Sequence, residues 1–225
     1  FFLPPWLRPF QPVCDFVNFL ILRRFDRILV PDFPEQDACL TGALSHNWMA
    51  RLLKPAYVGY LASARRRDVD QDIDLLFLTG GFLADPKQAW EAWVERAARN
   101  LGGGRVVSII GRTNGDAAAP AGFEQHGYVK GPARDLFMNR AHRIIARAGY
   151  TTISDLVELG KDAILIPTQG MTEQAHLAQR YQPQEIAGWT GYAFRYAELP
   201  PAILAWRTED TLRRILTEIG LRTDD

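Results

Sequence analysis

Three short apolar runs constrain this chain more than any other feature: LLFL at 75–78, VVSII at 106–110 and AILI at 163–166. Each is too short for a helix, and none alternates with polar residues. Runs of this kind suit strands buried on both faces. The segments between them read as helices. Asp85 caps residues 85–101 and Pro86 suits the first turn, while Trp90, Trp93, Val94, Ala97 and Leu101 share one face. Gly102, Gly103 and Gly104 stop that helix. HGYV (126–129) reads as a strand before a helix near 133–141, and HRIIA (142–146) as a strand before a helix over 152–160. A further helix runs from Thr172 to about Tyr181. Strands alternating with helices predict an α/β fold, a Rossmann-like parallel sheet with helices on both faces.

At 225 residues the chain holds about one and a half domains. It opens on Phe1, so it is expected to be a piece of a longer polypeptide. Lys+Arg and Asp+Glu both number 26, a balance that disfavours nucleic-acid binding through a basic field. Two cysteines, Cys14 and Cys39, make no disulfide framework and point to a reducing, cytoplasmic setting. No HxxxH or other metal-ligand spacing occurs, and no metal or cofactor is expected. His142 and His176 read as structural.

Residues 1–24 combine prolines and aromatics with an apolar stretch ending in Arg23 and Arg24. FFLPPWLRPFQP is too Pro-rich to read as a helix. Two readings stay open: an element from the core of a missing domain, or a surface that touches a membrane. DRILVP (26–31) is a strand closed by proline, AYVGYLAS (56–63) a second apolar segment, and ARRRDVDQD (64–72) an exposed connector. Thr208 reads as the cap of a last helix with Leu212, Ile215, Leu216 and Ile219 as its apolar stripe.

Ligands on parallel sheets bind beyond the carboxyl ends of the strands. Three such places carry candidate chemistry. Gly80 and Gly81 allow backbone amides to approach an anion. Arg147, Ala148, Gly149, Thr151 and Thr152 form a strand-to-helix turn, and Thr152 with Asp155 resembles a capping box whose amides suit a diphosphate. Gln169, Thr172, Glu173 and Gln174 open the next helix with groups that suit sugar hydroxyls. Each place also has an ordinary structural reading as a turn or a capped helix. Together they suit a nucleotide-diphosphate sugar.

RAGYTTISDLVELGKDAILIPTQGMTEQAHLA (147–178) resembles the donor-binding segment of GT-B glycosyltransferases of family 28, which include the lipid-linked N-acetylglucosaminyltransferase of peptidoglycan synthesis. The resemblance covers about 74–220. It implies that Gly80 and Gly81 face the diphosphate, and that Val129 lies beside the base. It implies that Ala148, Gly149 and Thr152 embrace the nucleotide. Asp155 would bind the ribose where Glu is commoner, and Glu173 and Gln174 would read the donor sugar. Asp162 departs from the family's usual proline. FDRILVPDFP (25–34) resembles the last strand and loop of the acceptor domain, whose missing part is expected to hold the catalytic base.

The implied organisation is a remnant of the N-terminal acceptor domain with linker at 1–56, a donor domain at 57–205, and a closing helix at 206–225 that packs back on the N-terminal part. The implied activity is inverting, metal-independent transfer of a hexosyl or N-acetylhexosaminyl group from a UDP-sugar to an acceptor hydroxyl. The acceptor would be a sugar, a lipid-linked sugar or a small molecule, with peripheral contact at the inner membrane face left open. Two alternatives remain on the same fold: a UDP-sugar 2-epimerase or hydrolase, and a non-catalytic subunit of a split transferase.

Overall fold

A computed structural model describes residues 3, 5–79, 87–101, 104–109, 123–129 and 131–221. Asp85, Pro86, Gly80, Gly81, Gly102, Gly103 and the loop read at 113–122 lie outside the described residues. The chain divides into two compact units, residues 63–197 and residues 1–62 with 198–225.

The second unit begins the chain. A 3-10 turn over Pro5–Phe10 leads into α1 (Gln11–Leu22). The prolines do not prevent this helix: Pro12 falls in its first turn, where a missing N–H has no intrahelical partner to lose. No residue of α1 is buried, and Val13, Phe16, Val17 and Ile21 are about half exposed or more. β1 (Leu29–Val30) pairs in parallel with β2 (Ala56–Tyr57), and α2 (Trp48–Leu53) lies between them in sequence. Asn47 caps α2 by accepting from Ala50 N.

Among the described residues, the larger unit holds a seven-stranded sheet in the order β5-β4-β3-β6-β7-β9-β8. Its parallel part comprises β3 (Ile73–Leu78), β4 (Val106–Ile109), β5 (Phe123–His126), β6 (Ala141–Arg147) and β7 (Ala163–Ile166). The helices are α3 (Lys87–Leu101), α4 (Gly131–Arg140), α5 (Tyr150–Leu159) and α6 (Thr172–Ala178). The three apolar runs are therefore the adjacent strands β4 and β3 and, one place beyond β6, β7. Side chains alternate between the faces. Leu75, Phe77, Ile145 and Ile166 join Trp93, Val94, Ala97 and Ala98 of α3 in one buried cluster. Burial of a side chain of this size contributes about 1.5–3 kcal/mol. Trp93 also donates to Ile186 O and stacks on Trp189. α4 packs on β3 and β6, with Met138 fully buried.

Four sequence expectations change. The strand read at 126–129 lies at 123–126. β5 is a sheet edge, so its polar Glu124 and Gln125 are tolerated and an apolar run does not mark it. β8 (Gln182–Ile186) and β9 (Trp189–Phe194) form an unanticipated hairpin that adds antiparallel strands beside β7. Its two-residue turn has Ala187 at φ 51° and Gly188 at φ 81°, and the alanine hides the usual Asn-Gly signal. The N-cap of α5 is Gly149, so Thr152 lies inside the first turn and no capping box forms with Asp155. The chain then returns through α7 (Pro201–Leu204) to α8 (Thr208–Glu218), whose N-cap is Arg207. Asp210 accepts from Arg207 N, whereas the Thr208 hydroxyl accepts from Ala62 N. Tyr60, Phe33 and Trp206 pack beneath this return, tied by Tyr60 OH to Trp206 O and Thr211 Oγ1 to Tyr60 O.

Candidate functional site

The chain runs outward from β3 to β4 and β5, then crosses back to place β6 on the other side of β3. That reversal is a topological switch point, where parallel sheets open a crevice at their carboxyl ends. A cavity of about 430 Å³ lies there. Leu78, Ile109, Val129 and Met138 give it apolar walls, with Tyr128 at its edge. Ser63, Thr79, Arg134 and Thr152 supply the polar groups, and Gly131 leaves one side open. Thr79 is fixed by hydrogen bonds from its N and Oγ1 to Ile109 O, which tie the ends of β3 and β4 together.

The predicted residues divide between this cavity and the surrounding scaffold. Val129 and Thr152 line the cavity. Gly149 caps α5 directly after β6, and Ala148 is buried beneath it. Thr151 is exposed in the first turn of α5. Arg147 is not a free cation at the rim: it is 4% exposed, donates to Pro167 O, and lies over the Trp189 ring. Gln169 and Glu173 are exposed, Thr172 is half-buried, and Gln174 turns back to accept from Thr168 N. Gly80 and Gly81 follow β3 outside the described residues.

Asp155 has no exposed surface. Its Oδ1 accepts from Ser63 N at 2.7 Å and from Ala64 N at 2.9 Å. The Ser63 hydroxyl donates to the same carboxylate, and Arg134 pairs with Oδ2. The carboxylate implied to bind ribose is thus spent on the chain entering this unit and on α4. Beside it, burial pushes the Asp135 carboxyl up from its ordinary value against the opposing pull of Arg134, and Asp135 Oδ1 has no hydrogen-bond partner.

Sequence reasoning missed Ser63, Tyr128 and Arg134. Ser63 and Arg134 are 71 positions apart, and only the fold of the connector onto α4 and α5 brings them together. The sequence also hid a cluster in the smaller unit: Asp32, Cys39 and His46 offer potential metal ligands within 4.8 Å of one another. Its donors and acceptors are already matched. Asp32 accepts from Phe33 N, Leu40 N and Thr41 N and from the hydroxyls of Thr41 and Ser45. Cys39 donates to Gln36 O, and His46 meets Ser45 Oγ and Pro34 O. The cluster reads as the knot that holds the loop after β1, with no acceptor of Asp32 left over for an ion.

No curated protein matches this chain significantly. Residues 120–216 match the family model of the glycosyltransferase family 28 C-terminal domain. The matched span includes α4 and α5, whose Gly131, Arg134, Met138 and Thr152 line the cavity. The match supports a nucleotide-sugar-binding function of the glycosyltransferase type.

Proposed function

We propose that this chain carries the donor half of a glycosyltransferase and binds a nucleotide-diphosphate sugar, taken as a UDP-sugar, in the cavity at the switch point. One observation carries the reading: the cavity lies where parallel sheets receive a nucleotide, and Tyr128, Val129, Gly131, Arg134, Met138 and Thr152 of its lining fall in the segment that matches the family domain. The apolar walls around Val129 suit a base. The first turns of α4 and α5 supply the positive ends of helix dipoles for an anionic group.

The proposed reaction transfers a hexosyl or N-acetylhexosaminyl group with inversion. An acceptor oxygen bonds to the anomeric carbon as its bond to the diphosphate breaks. The electron pair leaves with the diphosphate, and the acceptor proton passes to a base. Helix-terminal amides would stabilise the departing charge without a resident metal. The base is assigned to no residue of this chain. Incubation with UDP-N-acetylglucosamine and an acceptor sugar tests the reading. Formation of a glycosylated acceptor supports it; free sugar alone, or an epimeric UDP-sugar, would replace it with hydrolase or epimerase activity.

We further propose that a lipid-linked acceptor reaches the enzyme at a membrane surface through α1. Among the described residues no helix is long and apolar enough to cross a membrane. α1 nevertheless exposes Val13, Phe16, Val17 and Ile21 with Arg23 and Arg24 at its end, the combination that suits an interface between lipid headgroups and acyl chains. Co-sedimentation with anionic phosphatidylglycerol vesicles should require these apolar residues. Equal recovery of wild type and Phe16→Ser/Ile21→Ser in the supernatant would refute it.

A further inference from the structure

We propose a second binding site on this chain, for a small monocarboxylate with an apolar body. It is a cavity of about 370 Å³ at the amino ends of β6 and β7. β6 has seven residues, so its two ends lie about 20 Å apart, and this cavity shares no lining residue with the one at the switch point. The inference is independent of what the switch-point cavity binds.

The sheet builds the floor of this cavity. Ile145 and Ile164 face α3 in one apolar cluster, and Ala193 lies opposite Ile164 across the β7–β9 ladder. Side chains alternate along a strand, so two places away Arg143, Asp162 and Arg195 share that face as one row. α3 ends at Leu101, which forms a wall of the cavity. Ile164 and Ala193 are half-buried, so part of each is open to a ligand. The result is an apolar floor bounded along one side by charge.

The charged row decides the ligand class. Asp162 Oδ1 accepts from Tyr196 N at 2.8 Å and Oδ2 from Arg195 Nη1 at 3.0 Å, so Arg195 is already neutralised and held. Arg143 has no carboxylate partner among the described residues. Its Nη1 donates to Leu101 O at 3.3 Å, which steadies the guanidinium beside the cavity and leaves its other donors for a ligand. His142 aside, two arginines against one aspartate give a surplus of one positive charge. That surplus matches a monoanion, whereas a phosphate dianion would set a second negative charge beside Asp162. A planar carboxylate also fits the guanidinium fork with two parallel hydrogen bonds. An apolar body on that carboxylate removes Leu101, Ile164 and Ala193 from water.

Heteronuclear NMR on the full chain tests the site with phenylacetate, and with neutral phenylacetamide as the control. Signals of Arg143, Ile164 and Ala193 should shift together and saturate in the low-millimolar range, the strength expected of so small a ligand. Phenylacetamide should bind about tenfold more weakly, the weight of a hydrogen bond between charged groups. Arg143→Met should lose about the same factor, and Arg143→Lys should regain part of it. Asp162→Asn keeps an acceptor for Tyr196 N and removes a repelling charge, so it should tighten phenylacetate binding severalfold. Arg143 is exposed, so its variants should fold as wild type does; if one does not, the comparison of acid with amide on wild type decides alone. Failure of the shifts to saturate, equal binding of acid and amide, or unchanged affinity in a folded Arg143→Met would overturn the inference. So would shifts centred on Val129 and Thr152, which would place the carboxylate in the other cavity.

Discussion

Replacing Asp155 should destabilise the larger unit more than breaking any exposed ion pair, and the structure gives the size. The carboxylate accepts from Ser63 N, Ala64 N and Ser63 Oγ, and it neutralises Arg134. Alanine leaves two backbone donors without partners, at about 1–3 kcal/mol each where they stay dry, and an arginine without its counter-charge. Removing one member of a buried pair typically costs about 3–5 kcal/mol, in line with that count. Asp155→Asn keeps one acceptor for the amides and faces Arg134 with a neutral group, so about half the loss is expected. Arg195→Ala removes an ion pair to Asp162 whose two side chains are 55% and 48% exposed, and should cost under about 1 kcal/mol. Urea unfolding followed by far-UV circular dichroism measures all three. Hydrogen exchange should show faster exchange at Ser63 and Ala64 in Asp155→Ala. A loss below about 1 kcal/mol in Asp155→Ala, with both amides still protected, would refute the view that this carboxylate anchors the connector.

The backbone gives two further predictions. A Cβ on Gly59, at φ 86°, would lie 2.2 Å from the Trp206 indole nitrogen, so Gly59→Ala should destabilise the smaller unit by about 3 kcal/mol or more in thermal unfolding. Ala187→Gly relieves a left-handed alanine at φ 51° and should raise stability by about 1 kcal/mol in urea. Electrostatics gives another: the Arg140 guanidinium, helped by Arg105, holds the exposed Asp72 carboxyl down at about 2. Its folded value lies below its ordinary value of 3.8, so its contribution is complete above that value and is lost as pH falls through about 2. NMR titration should find that low value and return it towards 3.8 in Arg140→Met.

The parallel half of the sheet was legible because β3, β4 and β7 are buried on both faces and therefore apolar throughout. The edge and the hairpin were not. β5 tolerates Glu124 and Gln125 because among the described residues it pairs on one side, and the β8–β9 turn puts Ala187 where Asn or Gly normally signals a hairpin. Helix starts were misplaced for a related reason. Thr152 and Thr208 have the right chemistry to cap, but Gly149 and Arg207 hold the cap positions, and the two threonines serve the cavity and the Ala62 amide. The site was legible as a set of turns and less so as partners. Thr152 and Val129 line the cavity, whereas Arg147 and Asp155 are drawn into the scaffold by Pro167, Trp189 and the 63–64 backbone. Those assignments depend on contacts far apart in sequence, which no local pattern carries.

The central claim is that the switch-point cavity holds a nucleotide diphosphate, and Gly131 allows it to be tested without disturbing the fold. A Cβ there meets nothing within 4 Å, yet the residue lines the cavity. Gly131→Phe should fold as wild type does and fill that space. Titration calorimetry with UDP should give a saturable isotherm for wild type and none for Gly131→Phe of matched thermal stability. Equal UDP affinity in the two proteins would contradict the claim.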